Sequence, residues 1–250
     1  MDTVSYADVC SALKGIIPDG SVVLTHSSLK SFGYVEGGAD TVIDALINIC
    51  GAAGTLVVPT LTFKYVDESD PYFSVADTPS TCGIITETLL KRPDARRSAH
   101  VVSSAAAIGV HAEPITACHY DTPCGPGSPY MQVIDMKGYV LFLGATIASN
   151  TLFHCAEEAV NPPYMRYKTI AGVRVTDRGG VSTRDYRRYD CAQTGIIRRL
   201  DRMETIFRDN GAITDIKIGA CNAMLIAARD NFSLCCGVLE SRPGYILDEY

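Results

Sequence analysis

The segment from Asn150 to Glu158 reads N-T-L-F-H-C-A-E-E and brings a histidine, a cysteine and two glutamates into five residues. On an α-helix, His154 shares a face with Glu157 and Glu158, whereas Cys155 points about 100° away. A carboxylate beside an imidazole raises the basicity of the ring and fixes its tautomer, as a general base requires. The segment follows a predicted buried strand, and helix starts beyond the carboxyl ends of parallel strands often bind ligands. An ordinary solvated helix face is the alternative interpretation.

A second segment with chemical potential runs from His26 to Asp40 and reads H-S-S-L-K-S-F-G-Y-V-E-G-G-A-D. It leads from a predicted strand end to a helix start, where backbone N–H groups bind phosphate and glycines let an anion approach closely. Gly37, Gly38 and the hydroxyls of Ser27 and Ser28 are therefore candidate pyrophosphate ligands. Neither nucleotide-binding glycine motif is present, so a plain strand–helix loop is the alternative.

Three lesser candidates accompany these segments. Thr60 and Thr62 follow a predicted strand, so their hydroxyls can donate to an oxyanion or simply cap a turn. Residues 98–104 hold a histidine and serines that belong either to a site or to a half-buried strand. The acidic loop 67–70 can attract a polycation, although such loops are usually solvated faces.

The 10 cysteines are best explained as reduced, mostly buried thiols. Zinc bound by Cys118, His119 and Cys124 is an alternative, but a paired second knuckle is lacking, so no metal is expected. A nucleophilic role for Cys155, with an acetyl-enzyme intermediate, is a further alternative that the adjacent helical position of His154 disfavours.

Composition limits the remaining classes of protein. The chain has 250 residues, 47% hydrophobic and 20% charged, with a net charge of −6. This charge argues against a nucleic-acid partner and suits a cationic small molecule. No apolar run is long enough to span a membrane, and the polar N-terminus does not resemble a signal peptide, so we expect a cytoplasmic protein.

Alternating strand and helix patterns in the first half predict a parallel, buried sheet covered by helices. We predict strands at 21–25, 55–59, 100–109 and 138–144, helices at 5–15, 37–50, 82–91, 151–160, 193–209 and 219–229, loops at 64–80 and 118–130, and a β-hairpin at 170–189. One domain over residues 1–250 is the simplest organisation.

Together these segments resemble the aminoglycoside 3-N-acetyltransferase family. Its H-S-S-L-x-x-x-G-x-V-x-G-G motif matches residues 26–38, and its G-T-L-x-x-P-T-x-T motif matches residues 54–62. Its G-x-G-S-P motif matches residues 125–129, and N-T-x-x-H-x-A-E matches residues 150–157. One departure is visible: where the family has S-x-H-P-x-H-S, this chain has Val101 for the proline and Ser103 for the second histidine.

The resemblance implies a three-layer α/β/α fold with a largely parallel or mixed central sheet and an added hairpin. It implies direct acetyl transfer from acetyl-coenzyme A to an amine of an aminoglycoside antibiotic, namely the 3-amino group of 2-deoxystreptamine, with antibiotic resistance as the result. The implied catalytic residues are His154 as base, Glu157 as its orienting carboxylate, and Thr62 near the thioester.

The resemblance also implies two groups of binding residues. The coenzyme set is Ser27, Ser28, Leu29, Val35, Gly37, Gly38, Thr60 and Ser104. The acceptor set, chosen for its negative charge, is Asp67, Glu68 and Glu158. The expected partners are the coenzyme and a small-molecule amine, with no nucleic acid, no membrane, and a homodimer as one form of assembly. Another amino sugar or metabolite amine, or a catalytically idle coenzyme-binding relative, are the alternatives.

Overall fold

A mixed seven-stranded sheet forms the centre of the computed structural model, which describes residues 3–119, 121–190 and 196–249. Its strand order is β12-β13-β8-β2-β4-β7-β6. The strands of the protein, in chain order, are β1 (Thr3–Val4), β2 (Val22–Ser27), β3 (Tyr34–Val35), β4 (Thr55–Pro59), β5 (Tyr72–Ser74), β6 (Arg96–Arg97), β7 (Ala105–Gly109), β8 (Tyr139–Leu143), β9 (Tyr167–Asp177), β10 (Gly180–Tyr189), β11 (Ile196–Arg198), β12 (Thr214–Ile218), β13 (Cys221–Ala227) and β14 (Leu247–Glu249).

Helices cover both faces of this sheet, which confirms the predicted α/β class with a mixed sheet. The helices are α1 (Tyr6–Leu13), α2 (Gly38–Cys50), α3 (Ile84–Leu90), α4 (Ala112–Thr116), α5 (Pro129–Asp135), α6 (Leu152–Val160), α7 (Met203–Asp209) and α8 (Ala228–Ser241). One hydrophobic core joins the sheet to α5, α6, α7 and α8, and a second joins it to α1, α2 and α3.

The three central strands are parallel: β2 pairs with β4 on one side and with β8 on the other. All three are buried along most of their length, as strands covered on both faces must be. Their carboxyl ends therefore meet at one edge of the sheet, where Ser27, Pro59 and Leu143 lie. This edge positions the segments that the sequence selected.

The predicted hairpin is present as β9 and β10, and it extends beyond the sheet. It pairs with the short strand β5 inside the predicted 64–80 loop. A third, smaller core lies beneath it, in which Phe73 and Tyr186 are fully buried beside Val101 and Val102. The hairpin is thus packed against the turn that precedes β7.

Two sequence predictions near the C-terminal part were wrong. The predicted helix 219–229 is strand β13, followed by α8, because alternate residues Cys221, Ala223 and Leu225 are buried on one face of the sheet. The stretch C-N-A-M-L-I-A is apolar enough to satisfy a helical pattern as well as an alternating one.

The predicted helix 193–209 is also only partly correct. Residues 191–195 lie outside the described part of the chain, residues 196–198 form strand β11 paired with β14, and only 203–209 form helix α7. The predicted strand 100–109 is shorter than expected. The ring of His100 accepts hydrogen bonds from the backbone N–H groups of Val102 and Ser103, which curls the chain before β7 starts at Ala105.

Three histidines are almost wholly buried: His26, His100 and His119. Both ring nitrogens of His119 are engaged, because Nε2 donates to the Pro123 carbonyl (2.8 Å) and Nδ1 accepts from the Ser98 hydroxyl (2.9 Å). Burial lowers the pKa of His26 to about 3 and that of His119 to about 4, and it holds the pKa of His100 well below its ordinary value. All three rings are therefore neutral in the folded protein at physiological pH.

We expect these histidines to make folding stability fall steeply in weak acid. Above about pH 6.5 both states hold neutral rings, whereas below it only the unfolded chain takes up protons. The free energy of unfolding should drop by about 1.4 kcal/mol per pH unit for each buried histidine. Urea denaturation between pH 6 and pH 5, above the usual carboxylate range, measures this slope.

The matched variant is His119→Gln, whose amide keeps one donor and one acceptor but does not titrate. In this variant the free energy of unfolding should fall with pH less steeply, by the contribution of one histidine, about 1.4 kcal/mol per pH unit. This holds whatever the substitution does to stability at pH 7. A free energy of unfolding that stays constant from pH 7 to pH 5 would contradict the assignment of neutral buried rings.

Candidate active site

A cleft of about 410 Å³ lies at the carboxyl edge of β2 and β4. His154, on the first turns of α6, lines it together with Ser27 at the end of β2 and Pro59 at the end of β4. Arg188, Tyr189 and Arg198, from the end of β10 and from β11, complete the wall beside the histidine. Helix α6 thus presents the H-x-x-E segment where the sheet edge leaves room for a ligand.

Three side chains of this site bond to the carboxylate of Glu157. Its carboxylate is fully buried and accepts from His154 Nδ1 at 2.5 Å and from the Tyr164 hydroxyl at 2.8 Å. Arg198 Nη1 donates to the same carboxylate at 3.0 and 3.3 Å. Residues from α6, from the loop after it and from β11 therefore converge on one acid.

These contacts set the ionisation of Glu157 and the tautomer of a neutral His154 ring. Burial alone would raise the pKa of Glu157, but His154, Arg198 and Tyr164 outweigh it and hold that pKa below its usual value. An ionised carboxylate only accepts hydrogen bonds, so the His154 Nδ1 must carry the proton. The lone pair of His154 is then on Nε2, in a side chain that is 21% exposed and faces the cleft.

His26 anchors the start of this helix to the sheet. Its Nε2 lies 3.4 Å from the Thr151 backbone N and 3.3 Å from the Thr151 hydroxyl. The ring stacks on Phe142 of β8, with centroids 5.2 Å apart. Because the first N–H groups of a helix have no partner within the helix, His26 fixes where α6 begins and hence where His154 lies.

The ring of Tyr189 lies beside the ring of His154. Its ring centroid is 5.1 Å from that of His154, and its hydroxyl donates to Glu158 at 2.7 Å. Glu158 also accepts from the Cys124 backbone N–H at 2.7 Å. Glu158 therefore joins the 118–130 loop to the hairpin, and its contact with the acceptor stays a prediction.

Cys155 does not face the cleft. The residue is buried in the core, and burial raises the pKa of its thiol well above the ordinary value. A thiol in that state does not supply the thiolate that a nucleophile needs. The acetyl-enzyme alternative is therefore not supported.

Thr60, Thr62 and Ser104 do not line the cleft, although the sequence placed them at the thioester. The Thr62 hydroxyl donates to the Val101 carbonyl, and the hydroxyls of Thr60 and Ser104 bond to each other at 2.8 Å. Arg97 Nε donates to both of the latter hydroxyls. Their polar atoms are buried and already bonded within the protein, and their contact with the oxyanion or the coenzyme stays a prediction.

The other coenzyme candidates are spread along the chain from the cleft to the start of α2. Ser27 lines the cleft, and the following Ser28 begins the 3₁₀ turn at Leu29–Phe32. Val35 is a buried core residue on β3, so its side chain is not free to touch a ligand.

Gly37 and Gly38 form the exposed start of α2. Both have positive φ (74° and 65°), and a Cβ on Gly37 would lie 2.4 Å from the Thr41 hydroxyl oxygen. Only glycine fits there without strain. The pair lies at a helix N-terminus, as predicted, but outside the walls of the His154 cleft.

The two acidic candidates on the 67–70 loop are exposed and bonded to neighbours. Asp67 accepts from the backbone and hydroxyl of Ser69 and from the Asp70 backbone N–H. Glu68 forms an ion pair with Lys168 at 2.8 Å. Neither residue lines the cleft, so the structure does not bring them to the acceptor position.

The zinc alternative also lacks support. Cys118 is exposed, Cys124 is buried, and both nitrogens of His119 are bonded within the protein. Within the described ranges, no group of three or more His, Cys, Asp or Glu side chains is arranged to hold a metal ion. None of the helices in those ranges is long and apolar enough to cross a membrane.

A family model described as aminoglycoside 3-N-acetyltransferase matches residues 24–240. The chain belongs to the aminoglycoside 3-N-acetyltransferase family. It is therefore an acyltransferase, as the sequence resemblance predicted.

Similar proteins within this family include two curated enzymes. Aminoglycoside N(3)-acetyltransferase IX of Micromonospora chalcea is 30% identical, over 90% of this chain and 89% of the relative. Aminoglycoside N(3)-acetyltransferase VII of Streptomyces paromomycinus is 37% identical, over 60% of this chain and 58% of the relative. The latter match thus spans less than two thirds of that enzyme.

A solved structure shares the acetyltransferase fold. The binary complex of AAC-IIIb with CoASH has a TM-score of 0.86 and 26% identity, covering 96% of this chain and 98% of the other. The central mixed sheet with helices on both faces is therefore the family's architecture.

Sequence reasoning missed four residues around the acetyltransferase site: His26 as the anchor of α6, Tyr164, Tyr189 and Arg198. Arg198 lies 41 residues from Glu157, and no local spacing connects the two. The only signal for Tyr164 was its position just after the N-P-P stop of the helix. The pairing of β11 brings in Arg198, and the packing of the hairpin brings in Tyr189.

Proposed function

We propose that this chain transfers the acetyl group of acetyl-CoA to an amine of an aminoglycoside antibiotic, at the 3-amino group of 2-deoxystreptamine, and so confers resistance. The observation that carries the proposal is the His154–Glu157 pair, with the His154 Nε2 facing a cleft at the sheet edge. The names of the similar curated enzymes and the CoA complex of a related fold support the substrate pair.

The reaction follows from this geometry. As the neutral amine nitrogen attacks the thioester carbonyl carbon, His154 Nε2 accepts the proton that the nitrogen loses. Glu157 stabilises the resulting imidazolium across the 2.5 Å contact to Nδ1. The tetrahedral intermediate then collapses, the carbon–sulphur bond breaks, and the departing thiolate takes the proton back from the imidazolium.

Thr25 is our candidate for contact with the reacting part of the coenzyme. It lies next to His26 on β2 and lines the cleft, and its buried hydroxyl has no hydrogen-bond partner within the described ranges. A buried hydroxyl without a partner costs free energy, which a bound carbonyl or amide would recover. Thr25 is proposed beside Thr60 and Thr62, whose contact with the thioester stays a prediction.

The coenzyme's path is proposed to run from the cleft past Ser27 and Ser28 toward the start of α2. Gly37 and Gly38 would meet the phosphates there, since a helix N-terminus favours anions. Leu29 and Val35 would support that path through packing rather than direct contact. We further propose that residues 1–250 form one acetyltransferase domain, that the protein is cytoplasmic and that it forms a homodimer.

The testing experiment is a thiol-release assay with acetyl-CoA and a panel of amines. Aminoglycosides that contain 2-deoxystreptamine should release CoA, and NMR of the product should show acetylation at the 3-amino group. Streptomycin, an aminoglycoside without 2-deoxystreptamine, is the matched control and should not react. Release only with simple amino sugars would replace the antibiotic acceptor by the metabolite-amine alternative, and binding of CoA without release would identify an idle relative.

A further inference from the structure

Arg188, near the end of β10, lines the cleft that contains His154. Its Nε is buried and has no hydrogen-bond partner within the described ranges. The other arginine of the cleft, Arg198, differs because it is bonded to Glu157. A buried guanidinium nitrogen without a hydrogen-bond acceptor costs free energy. The unpaired Nε of Arg188 therefore indicates that a bound ligand supplies the hydrogen-bond acceptor.

The nearby carboxylates of the protein do not provide this hydrogen-bond acceptor. Asp67 and Glu68 are near enough for the charge of Arg188 to contribute to their lowered pKa values, after the larger contributions of Ser69 and Lys168 respectively. Both are nevertheless exposed and bonded elsewhere. Among the described residues that line the cleft, none is an aspartate or a glutamate.

The hairpin that carries Arg188 is basic, in a chain with a net charge of −6. Between residues 166 and 190, which include both strands of the hairpin, seven residues are basic and three are acidic. Of these charged residues, only Arg188 lines the described walls of the cleft. A positive charge there attracts an anion and repels a cation.

We propose that Arg188 binds an anionic group of the acceptor, so that the cleft acetylates amines that carry a phosphate or carboxylate in addition to aminoglycosides. This inference rests on the proposed acetyl transfer and extends its acceptor class. Guanidinium groups pair with phosphate or carboxylate oxygens in two-pronged hydrogen bonds, which suits a fixed arginine in a cleft wall.

The phosphates of the coenzyme could also pair with Arg188. The position of Arg188 instead favours an anionic group on the amine that accepts the acetyl group. Arg188 precedes Tyr189, whose ring centroid is 5.1 Å from that of His154, so it lies beside the reacting end of the cleft. The long pantetheine arm separates the thioester from the coenzyme's phosphates. The anion at Arg188 therefore belongs to the molecule that brings the amine.

The test compares glucosamine 6-phosphate with glucosamine as acceptors in the thiol-release assay. We expect kcat/KM to be about 10- to 100-fold higher for the phosphorylated amine, the usual scale of a charge-assisted bond. Arg188→Gln should remove that preference, and Arg188→Lys should retain part of it. For an aminoglycoside, kcat/KM should rise in Arg188→Gln because a like charge is removed.

Arg178→Gln is the matched control, since it removes one charge from the turn of the same hairpin, outside the cleft. It should leave the preference for the phosphorylated amine intact. A second arm replaces acetyl-CoA by acetyl-3′-dephospho-CoA. If Arg188→Gln raises KM for acetyl-CoA but not for the dephospho form, the anion is the coenzyme's phosphate and the inference is overturned.

Equal kcat/KM for the two amines in the unaltered protein also overturns it. Thiol release with an aminoglycoside but no phosphate preference leaves the proposed function standing and removes only this inference. If no amine releases CoA, the proposed function fails and this inference fails with it.

Discussion

Replacing His154 by alanine should lower kcat by about 10²–10⁴, the usual contribution of a general base. The reason is that, among the described residues that line the cleft, His154 is the only imidazole bonded to a buried carboxylate. Binding of CoA, measured by calorimetry, should persist, since His154 contributes to proton transfer rather than to the coenzyme's phosphates. Steady-state thiol release with an aminoglycoside gives kcat.

His111→Ala is the control for this variant. His111 lies just before α4 and outside the cleft, so its loss should leave kcat unchanged. Near-normal turnover of His154→Ala would remove the central assumption of the mechanism, because the proton would then leave the amine by another path.

The second large effect is expected for Glu157→Gln. The amide has nearly the shape of the carboxylate but no charge, so it can neither stabilise the imidazolium nor enforce the Nδ1–H tautomer. We expect kcat to fall by about 10²–10⁴, as for other base-orienting acids, with a smaller change in KM for acetyl-CoA. Arg198 also loses its buried counter-ion, so the free energy of unfolding should fall by up to about 3–5 kcal/mol.

The dependence of kcat on pH separates the effect on catalysis from the effect on stability. The dependence of kcat on pH should differ in Glu157→Gln, because the negative charge bonded to the base is gone; a merely structural role would leave that dependence in place. Glu240→Gln, an exposed change on α8, is the control and should affect neither kcat nor stability. Unchanged kcat in Glu157→Gln would show that catalysis does not need the negative charge of Glu157.

Local patterns were enough to predict the elements that hold the proposed catalytic pair. The spacing of His154 and Glu157 placed both on one helix face, and the buried runs of β2, β4 and β8 predicted parallel strands whose ends share an edge. These features depend on periodicity over a few residues, which the sequence displays directly.

Other features depend on long-range pairing and could not be predicted in this way. The direction of the Thr62 hydroxyl is set by Val101, and the partner of Glu157 on β11 is set by a strand that pairs with β14. The stretch 221–227 fitted helix and strand patterns equally, and only its place beside β8 decides between them. Tertiary contacts, rather than propensity, determine these outcomes.

The dependence of Glu157 on Arg198 has a consequence for biosynthesis. Arg198 is held by a two-stranded ribbon whose other strand is residues 247–249. During translation, a nascent chain whose central strands have already folded still lacks the strand that holds Arg198 against Glu157. The buried acid therefore gains its guanidinium partner only after residue 249 has emerged from the exit tunnel.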